Sequence, residues 1–345
     1  AVRYGFFKAT RRKCKMNDPD RTTPAFCQRC RSRLINPGAN FCPVCGMPLR
    51  QKKESGAKRF FKTFFQCCAY IAFFFAMQSV VEGVAMFICG AAGGALGYTS
   101  FDSVIDKMYE AYGHWSWLSG MISAALCVFL LAMFFKIRKK SFCAQIELRP
   151  LRPAPLGGAL TLGFGAQFAA TLLIIGLYAL LPSLADNSVG DEIDSLLQAP
   201  YPVLDFIHIG LTTAIVEEVV FRGIVYNKLK RAIPVPWAMI LSGVMFGIAH
   251  MNIEQFVYTV PLGIIMAASL EKYGSIIAPI AIHFAFNGGN YLIGKIPFTN
   301  DWWYTAAVFA GTGLMLIALA FMFFTEKSSG RTSAGKRKSC TYEAL

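Results

Sequence analysis

Glu217-Glu218-Val219-Val220-Phe221-Arg222 places three ionisable side chains inside an otherwise apolar segment of this 345-residue chain. Two further apolar segments contain short polar motifs: FGIAH, which ends at His250, and HFAFN, which spans His283–Asn287. An ionisable group at membrane depth costs ~3 kcal/mol on insertion scales, so it usually marks a functional site. Five such groups on three predicted helices therefore predict one catalytic centre inside a membrane.

The composition supports a membrane protein. Hydrophobic residues make up 55% of the chain and charged residues 16%, with a mean hydropathy of +0.45. A soluble globular chain carries more charge than this. Apolar stretches of about 20 residues, enough to cross a bilayer, recur along the chain. We predict an all-α polytopic membrane protein with eight transmembrane helices, at about 64–90, 117–136, 156–181, 203–226, 237–253, 255–270, 276–293 and 303–324.

The distribution of charge predicts the orientation. Cytoplasmic loops are enriched in Lys and Arg. With eight spans and a cytoplasmic N-terminus, 32 of the 34 basic residues lie on the cytoplasmic side, and only Lys107 and Lys295 lie outside. We therefore expect both termini in the cytoplasm and an attraction of the basic segments to anionic lipid headgroups. The net charge of +14 is weak evidence for a nucleic-acid partner.

Two Cys-x-x-Cys pairs precede the first span. Cys27 and Cys30 form one pair, and Cys42 and Cys45 form the other after eleven intervening residues. This spacing is typical of a tetrahedral zinc site in which each pair offers two thiolates. With four Cys ligands and no open position, the Zn²⁺ would be structural, and a ribbon this small would depend on it to fold.

The cysteine pairs also allow two other interpretations. A pair of disulfides is disfavoured by a reducing cytoplasm. The arginines beside the first pair, at 29, 31 and 33, could contact nucleic acid. Without a wider basic and aromatic surface, this ranks below docking of a protein partner or substrate.

Helical spacing groups the polar residues of the three motifs. Residues four apart share a helix face, so Glu218 can pair with Arg222 and neutralise it. By the same spacing Phe246 shares a face with His250, and His283 with Asn287. If these faces meet, they assemble a carboxylate, two imidazoles and an amide around one pocket. Such a set suits amide hydrolysis, with a base to activate water and donors for the oxyanion.

The three motifs together resemble those of the CAAX protease and bacteriocin-processing (CPBP) family of intramembrane endopeptidases. Glu217-Glu218-x-x-x-Arg222, Phe246-x-x-x-His250 and His283-x-x-x-Asn287 occur in the family's order over roughly residues 156–325. The resemblance implies an eight-helix bundle with a site near the cytoplasmic face.

The resemblance also implies roles by position. Glu217 is similar to the base that activates water, and His250 to its partner. His283 and Asn287 are similar to the oxyanion stabilisers. Glu218, Arg222 and Phe246 would support the site, and no cofactor would be required for catalysis.

The predicted organisation has five parts. They are a zinc ribbon with a flanking basic segment (1–50), a basic linker (51–62), two N-terminal transmembrane helices (63–155), a CPBP-like catalytic core (156–325) and a basic cytoplasmic tail (326–345).

The same motifs allow three other functions. A metallo-hydrolase could use Glu217, His250 and His283 as three ligands of a catalytic zinc. A non-proteolytic binding or immunity protein could use the same fold to hold a peptide. A transporter is disfavoured because no inverted repeat or pair of broken helices is visible.

The predicted partners are the lipid bilayer and a membrane-associated protein or peptide substrate. Prenylated CAAX peptides are the substrates that the resemblance implies for eukaryotic members. A zinc ribbon on a bundle of this size points instead to a bacterial plasma-membrane protein, for which bacteriocin leaders, peptide pheromones or other membrane proteins are possible substrates.

Overall fold

The computed structural model describes residues 55–95, 100–187, 201–294 and 301–324, together with Val44. The chain divides into two units, Ala1–Ser55 and Gly56–Leu345, and the described helices all belong to the second. The four predicted zinc ligands, the predicted cytoplasmic tail and Lys295 lie outside the described residues.

The described part of the chain is almost entirely helical. Its helices are α1 (Gly56–Ala95), α2 (Phe101–Ile137), α3 (Phe142–Gln145), α4 (Pro153–Leu180), α5 (202–229), α6 (Val235–Ala249), α7 (Ile253–Tyr273), α8 (Ile277–Ile293) and α9 (Asp301–Phe324). A short 3₁₀ helix, Pro182–Asn187, follows α4.

Helices occupy all eight of the predicted apolar stretches. Five helical segments are long and apolar enough to cross a membrane among the described residues: Gly56–Ala92, Tyr112–Ile137, Pro153–Leu180, Ile253–Tyr273 and Trp302–Phe324. The α6 helix is apolar but has only 15 residues. The helical class and the membrane-spanning character are thus confirmed, and the count of eight spans stays a prediction.

The first helix begins earlier than the sequence analysis expected. Residues 51–62 were predicted to be a linker, but α1 begins at Gly56 and continues for 40 residues. Lys58, Arg59 and Lys62 are compatible with a helix at the membrane edge, because long cationic side chains can lay their methylenes on apolar surface and extend their charge into water. At the other end of this helix, the glycines at 90, 93 and 94 do not interrupt α1, which continues to Ala95.

The helix α5 is not a uniform α-helix. It contains two π-helical segments, Ile207–Thr212 and Val219–Tyr226, which flank the α-helical turn Thr213–Glu218. A π turn inserts one extra residue and rotates the side chains that follow, and such turns are frequent at functional sites. The helix that carries Glu217 is therefore wound differently on both sides of it.

Close helix contacts hold the bundle around α5. The helix α4 packs against α8 and α9, α1 packs against α2, and α6 packs against α7. A Cβ added at Gly163 would lie 2.0 Å from the Ile282 carbonyl oxygen, and one added at Gly263 would lie 2.9 Å from the Gly243 Cα. Small residues at these crossings let helix backbones approach closely, as is common in membrane bundles.

Candidate active site

A cavity of about 270 Å³ lies between α5, α6, α7 and α8. Each of these helices contributes residues at helical spacing, so each presents one face to it. The lining residues are Ile209, Thr213, Glu217, Phe246, His250, Gln255, Tyr258, Thr259, Leu262, His283, Phe286, Asn287, Asn290 and Tyr291. The structure thus brings the four residues predicted to be catalytic to one cavity, and Phe246 with them.

Glu217 faces the cavity from the α-helical turn of α5. Its side chain is 14% exposed, and its Oε2 has no hydrogen-bond partner among the described residues. The Nε2 atom of His283 lies 3.8 Å from this Oε2. That distance is too long for a direct hydrogen bond and suits a bridge through one water molecule. Glu217 therefore lines the cavity with one carboxylate oxygen, Oε2, that is buried beside His283 and has no hydrogen-bond partner among the described residues.

Glu218 lies behind the cavity and is fully buried. Arg222 Nη1 donates to Glu218 Oε1 over 2.7 Å, and both side chains have no exposed surface. The same oxygen lies 2.9 Å from His283 Nδ1. Because a carboxylate only accepts hydrogen bonds, Nδ1 of His283 carries the proton in this contact. Glu218 thereby fixes the ring of His283 so that Nε2 points toward Glu217.

The ring of Phe246 connects the charged groups. The Arg222 guanidinium lies over this ring, with Cζ 4.2 Å from its centroid. The rings of His250 and His283 meet Phe246 edge-on, at centroid distances of 4.7 and 5.8 Å. A cation over an aromatic face is stabilised further when both are desolvated. Phe246 thus links the first motif to both histidines, and this contact accounts for its place in the second motif.

His250 terminates α6, and its ring is held by its own helix. Its Nδ1 lies 2.8 Å from the carbonyl oxygen of Phe246, so Nδ1 donates to that oxygen. The next residue, Met251, has φ 52, an uncommon conformation for a non-glycine residue. No carboxylate lies within ion-pair distance of His250 among the described residues. The carboxylate contact of the site is made by His283 instead.

Asn287 joins α8 to the first π segment of α5. Its Nδ2 donates to the Ile209 carbonyl oxygen over 3.1 Å. This leaves the second N–H of the amide available, because a carboxamide nitrogen has two donors. Asn290, one turn further along α8, lines the same cavity.

The polar residues on α7 were missed by the sequence analysis. Gln255, Tyr258, Thr259 and Leu262 line the cavity. Their spacing of three, four and seven residues is a helical face, and three of them are polar in an apolar helix, so a search for polar stripes would have found them. Tyr258 also packs against Phe286, with ring centroids 5.6 Å apart.

The described residues contain no group of three His, Cys, Asp or Glu side chains positioned to hold a metal ion. The predicted Cys ligands at 27, 30, 42 and 45 lie outside those residues, so this finding does not concern them.

A comparison with protein families connects this cavity to a known class of enzyme. The family model described as Type II CAAX prenyl endopeptidase Rce1-like matches residues 199–289. The matched segment contains all three motifs and supports the CAAX protease family as the relatives of this chain. Comparisons with curated proteins and with solved structures give no match. The matched segment is thus similar to an endopeptidase family, and the apolar helices support an integral membrane protein.

Proposed function

We propose that this protein is an intramembrane endopeptidase of the glutamic type, in which Glu217 activates the water that cleaves a peptide bond. The observation that carries the proposal is the approach of His283 Nε2 to the unpartnered Oε2 of Glu217, in a cavity among apolar helices. A base, a second proton-carrying group and an amide donor are the parts that amide hydrolysis requires.

In the proposed reaction, Glu217 takes a proton from a water molecule bound at Oε2. The water oxygen attacks the scissile carbonyl carbon, and a tetrahedral oxyanion forms. The free N–H of Asn287 and a protonated Nε2 of His283 donate to this oxyanion. When the carbon–nitrogen bond breaks, Glu217 returns the proton to the leaving amine. Preorganised donors in a site that excludes water are worth much more than donors in bulk solvent.

The charges of the site balance in this scheme. Arg222 offsets Glu218, so the second carboxylate, Glu217, remains to stabilise a protonated His283. Buried charges are tolerated when they are paired and hydrogen-bonded. His250 lines the cavity, and its Nδ1 is engaged with its own helix. Its Nε2 would therefore accept a hydrogen bond from the substrate or from the attacking water, and His250 would act there as the partner of Glu217.

The substrate class follows from the site's setting. A cavity among apolar helices favours substrates that are themselves associated with the membrane. The matched family is described as a CAAX prenyl endopeptidase, so a prenylated CAAX peptide is the first probe. Bacteriocin leaders, peptide pheromones and other membrane proteins are further candidates.

The decisive experiment compares the full-length wild type with Glu217→Gln in proteoliposomes. Glu217→Gln keeps the shape of the side chain but cannot accept a proton, so cleavage of the peptide probe should fall to background. Glu82→Gln is the matched control, since Glu82 lies on α1 and outside the cavity. Cleavage at the wild-type rate by Glu217→Gln would show that the assignment is wrong.

A comparison of the wild type with Glu217→Gln in cells identifies the physiological substrate. Peptides in the membrane fraction that are cleaved with wild type and intact with Glu217→Gln identify substrates. Peptides cleaved equally with both variants are products of other proteases.

The N-terminal segment is assigned a structural role. We propose that Cys27, Cys30, Cys42 and Cys45 bind one Zn²⁺, and that the ribbon docks a protein partner or substrate at the membrane. The spacing of the two cysteine pairs supports this assignment.

The eight-span topology with both termini in the cytoplasm remains our proposal for the orientation. The one-sided distribution of Lys and Arg supports it.

A further inference from the structure

A second, smaller cavity lies at the end of the bundle where α2 and α5 finish. It measures about 60 Å³ and shares no lining residue with the catalytic cavity. Residues of α1, α2, α5, the end of α3, the α2–α3 loop and the loop that follows α5 surround it: Tyr70, Phe134, Phe135, Arg138, Lys140, Gln145, Gly223, Ile224, Asn227, Lys228 and Arg231. The membrane-crossing segment of α2 ends at Ile137, so Arg138 is the first residue beyond it. The cavity therefore lies at the level of the membrane surface.

Four cations line this cavity. Arg138, Lys140, Lys228 and Arg231 form no ion pair with any carboxylate in the part of the chain that the structure describes. The neighbouring Lys230 shows the contrast, because its Nζ lies 2.9 Å from Glu147 Oε1 and 2.6 Å from Glu271 Oε1. Among the described residues, the fold thus pairs Lys230 with two carboxylates and leaves these four adjacent cations without one.

Two of the four cations, Lys228 and Arg138, are held by neighbours that do not remove their charge. Lys228 Nζ donates to Gln66 Oε1 over 3.0 Å and lies 5.2 Å from the centroid of the Tyr70 ring. Arg138 Cζ lies 4.8 Å from the centroid of the Phe134 ring. A cation beside an aromatic face keeps its charge and loses freedom. The arrangement is therefore partly preorganised for an anion.

Asn227 lines the cavity and is held by two hydrogen bonds. It is buried, and its Nδ2 donates to the Gln145 and Gly223 carbonyl oxygens, each over 3.1 Å. The bond to Gln145 ties the end of α5 to the end of α3, and the bond to Gly223 lies within α5. Burial lowers the pKa of Lys228, and the positive charges of Lys140, Arg231 and Arg138 lower it further. A bound anion would relieve that repulsion.

We propose that this cavity binds a phosphate group, presented at the membrane surface by an anionic phospholipid headgroup or supplied by free phosphate. Arginine offers a planar pair of donors that suits phosphate oxygens, and lysine adds compact positive charge. Pockets for drug-sized ligands measure ~300–1,000 Å³, so a cavity of this size admits one small anionic group and leaves the rest of a lipid outside. The proposal does not depend on the protease assignment.

The test uses the full-length chain in a neutral detergent, with bound lipid counted by native mass spectrometry. Phosphatidylglycerol is titrated against wild type, Arg138→Gln/Lys228→Gln and the matched control Lys136→Gln/Lys139→Gln. The control removes two positive charges from the same end of α2, but neither residue lines the cavity. Because hydrogen bonds between charged groups are strong, the dissociation constant should rise about tenfold or more in the cavity variant and stay within about twofold in the control.

Three further measurements distinguish a lipid headgroup from free phosphate and test whether weaker binding is caused by misfolding. Phosphatidylcholine replaces phosphatidylglycerol in one arm, and inorganic phosphate measured by calorimetry replaces it in another. In the third, Lys140→Gln/Arg231→Gln removes two exposed cations of the cavity, and its folding is checked by size-exclusion chromatography. Weakened binding of phosphatidylglycerol alone assigns a lipid headgroup, and weakened binding of inorganic phosphate assigns a free anion. Equal binding by the cavity variants and the control, or equal binding of phosphatidylcholine and phosphatidylglycerol, would overturn the proposal.

Discussion

A single oxygen atom, Oε1 of Glu218, organises the candidate site at the residue scale. It accepts from Arg222 and from His283, which lie four and 65 residues away along the chain. One contact is local to a helix, and the other requires two helices to pack. Glu218 is therefore a positioning residue that orients His283 toward Glu217, and it does not face the cavity itself.

Removing one partner of the buried ion pair should cost more than removing both. Arg222→Met leaves the Glu218 charge buried without its cation, which should destabilise the protein by about 3–5 kcal/mol. Glu218→Gln/Arg222→Met removes both charges and should recover much of that loss. Unfolding of the two variants in detergent measures the difference, with Glu218→Gln completing the cycle. The pair would be uncoupled if Glu218→Gln changed the free energy of unfolding by the same amount in the wild type and in the Arg222→Met background.

Asn287 should act on the rate and not on substrate binding. Loss of an oxyanion donor lowers kcat by about 10²–10³-fold in comparable sites, so Asn287→Ala should do the same with little change in KM. Asn290→Ala is the matched control, because it removes the same amide one turn away on the same cavity wall. The melting temperature of both variants separates a catalytic loss from the loss of the bond to Ile209. A change confined to KM would remove Asn287 from the oxyanion role.

At the scale of elements, one face of α5 carries Ile209, Thr213 and Glu217 to the cavity. These residues are spaced by four, and residues four apart share a face of a helix. A π segment lies on each side of the turn that carries Glu217. Asn287 satisfies the Ile209 carbonyl oxygen within the first π segment. The winding of α5 and the packing of α8 are therefore coupled.

The crossing of α4 and α8 should control the position of His283. A Cβ at Gly163 would collide with the backbone of Ile282, the residue before His283. Gly163→Ala should destabilise the bundle by about 1–3 kcal/mol, as overpacking does, and should lower cleavage.

Gly157→Ala is the control for this crossing, since it lies on the same helix and its added Cβ meets nothing within 4 Å. It should be neutral or slightly stabilising, because alanine is the better helix former. Thermal unfolding and cleavage assays on both variants check the two expectations. Equal behaviour of the two variants would refute the close-packing argument.

At the scale of the whole molecule, the predicted ribbon should bind a metal ion and the catalytic cavity should cleave peptides without one. The full-length chain should contain one zinc ion, and deletion of residues 1–50 should remove it without abolishing cleavage. Metal analysis of both purified proteins measures this directly. One metal ion per truncated chain would favour a metallo-hydrolase that uses Glu217, His250 and His283.

Much of the site was predictable because its signals are local. Burial of charge in apolar helices is costly, so the positions of Glu217, His250 and His283 stood out in the sequence. The pairing of Glu218 with Arg222 follows from helical spacing alone. The polar stripe of α7 was missed because uncharged side chains such as Gln255 and Thr259 cost less in an apolar helix and therefore stand out less.

The amino-acid sequence by itself determined the helical, membrane-spanning class of the protein and the residues of its polar motifs, because hydropathy and helical spacing act over short distances along the chain. Only the tertiary structure decided that His283, rather than His250, contacts the two glutamates, and that four cations share one small cavity. Those contacts join residues far apart in sequence, and they depend on how closely α4, α5 and α8 pack and on the π turns that rotate the faces of α5.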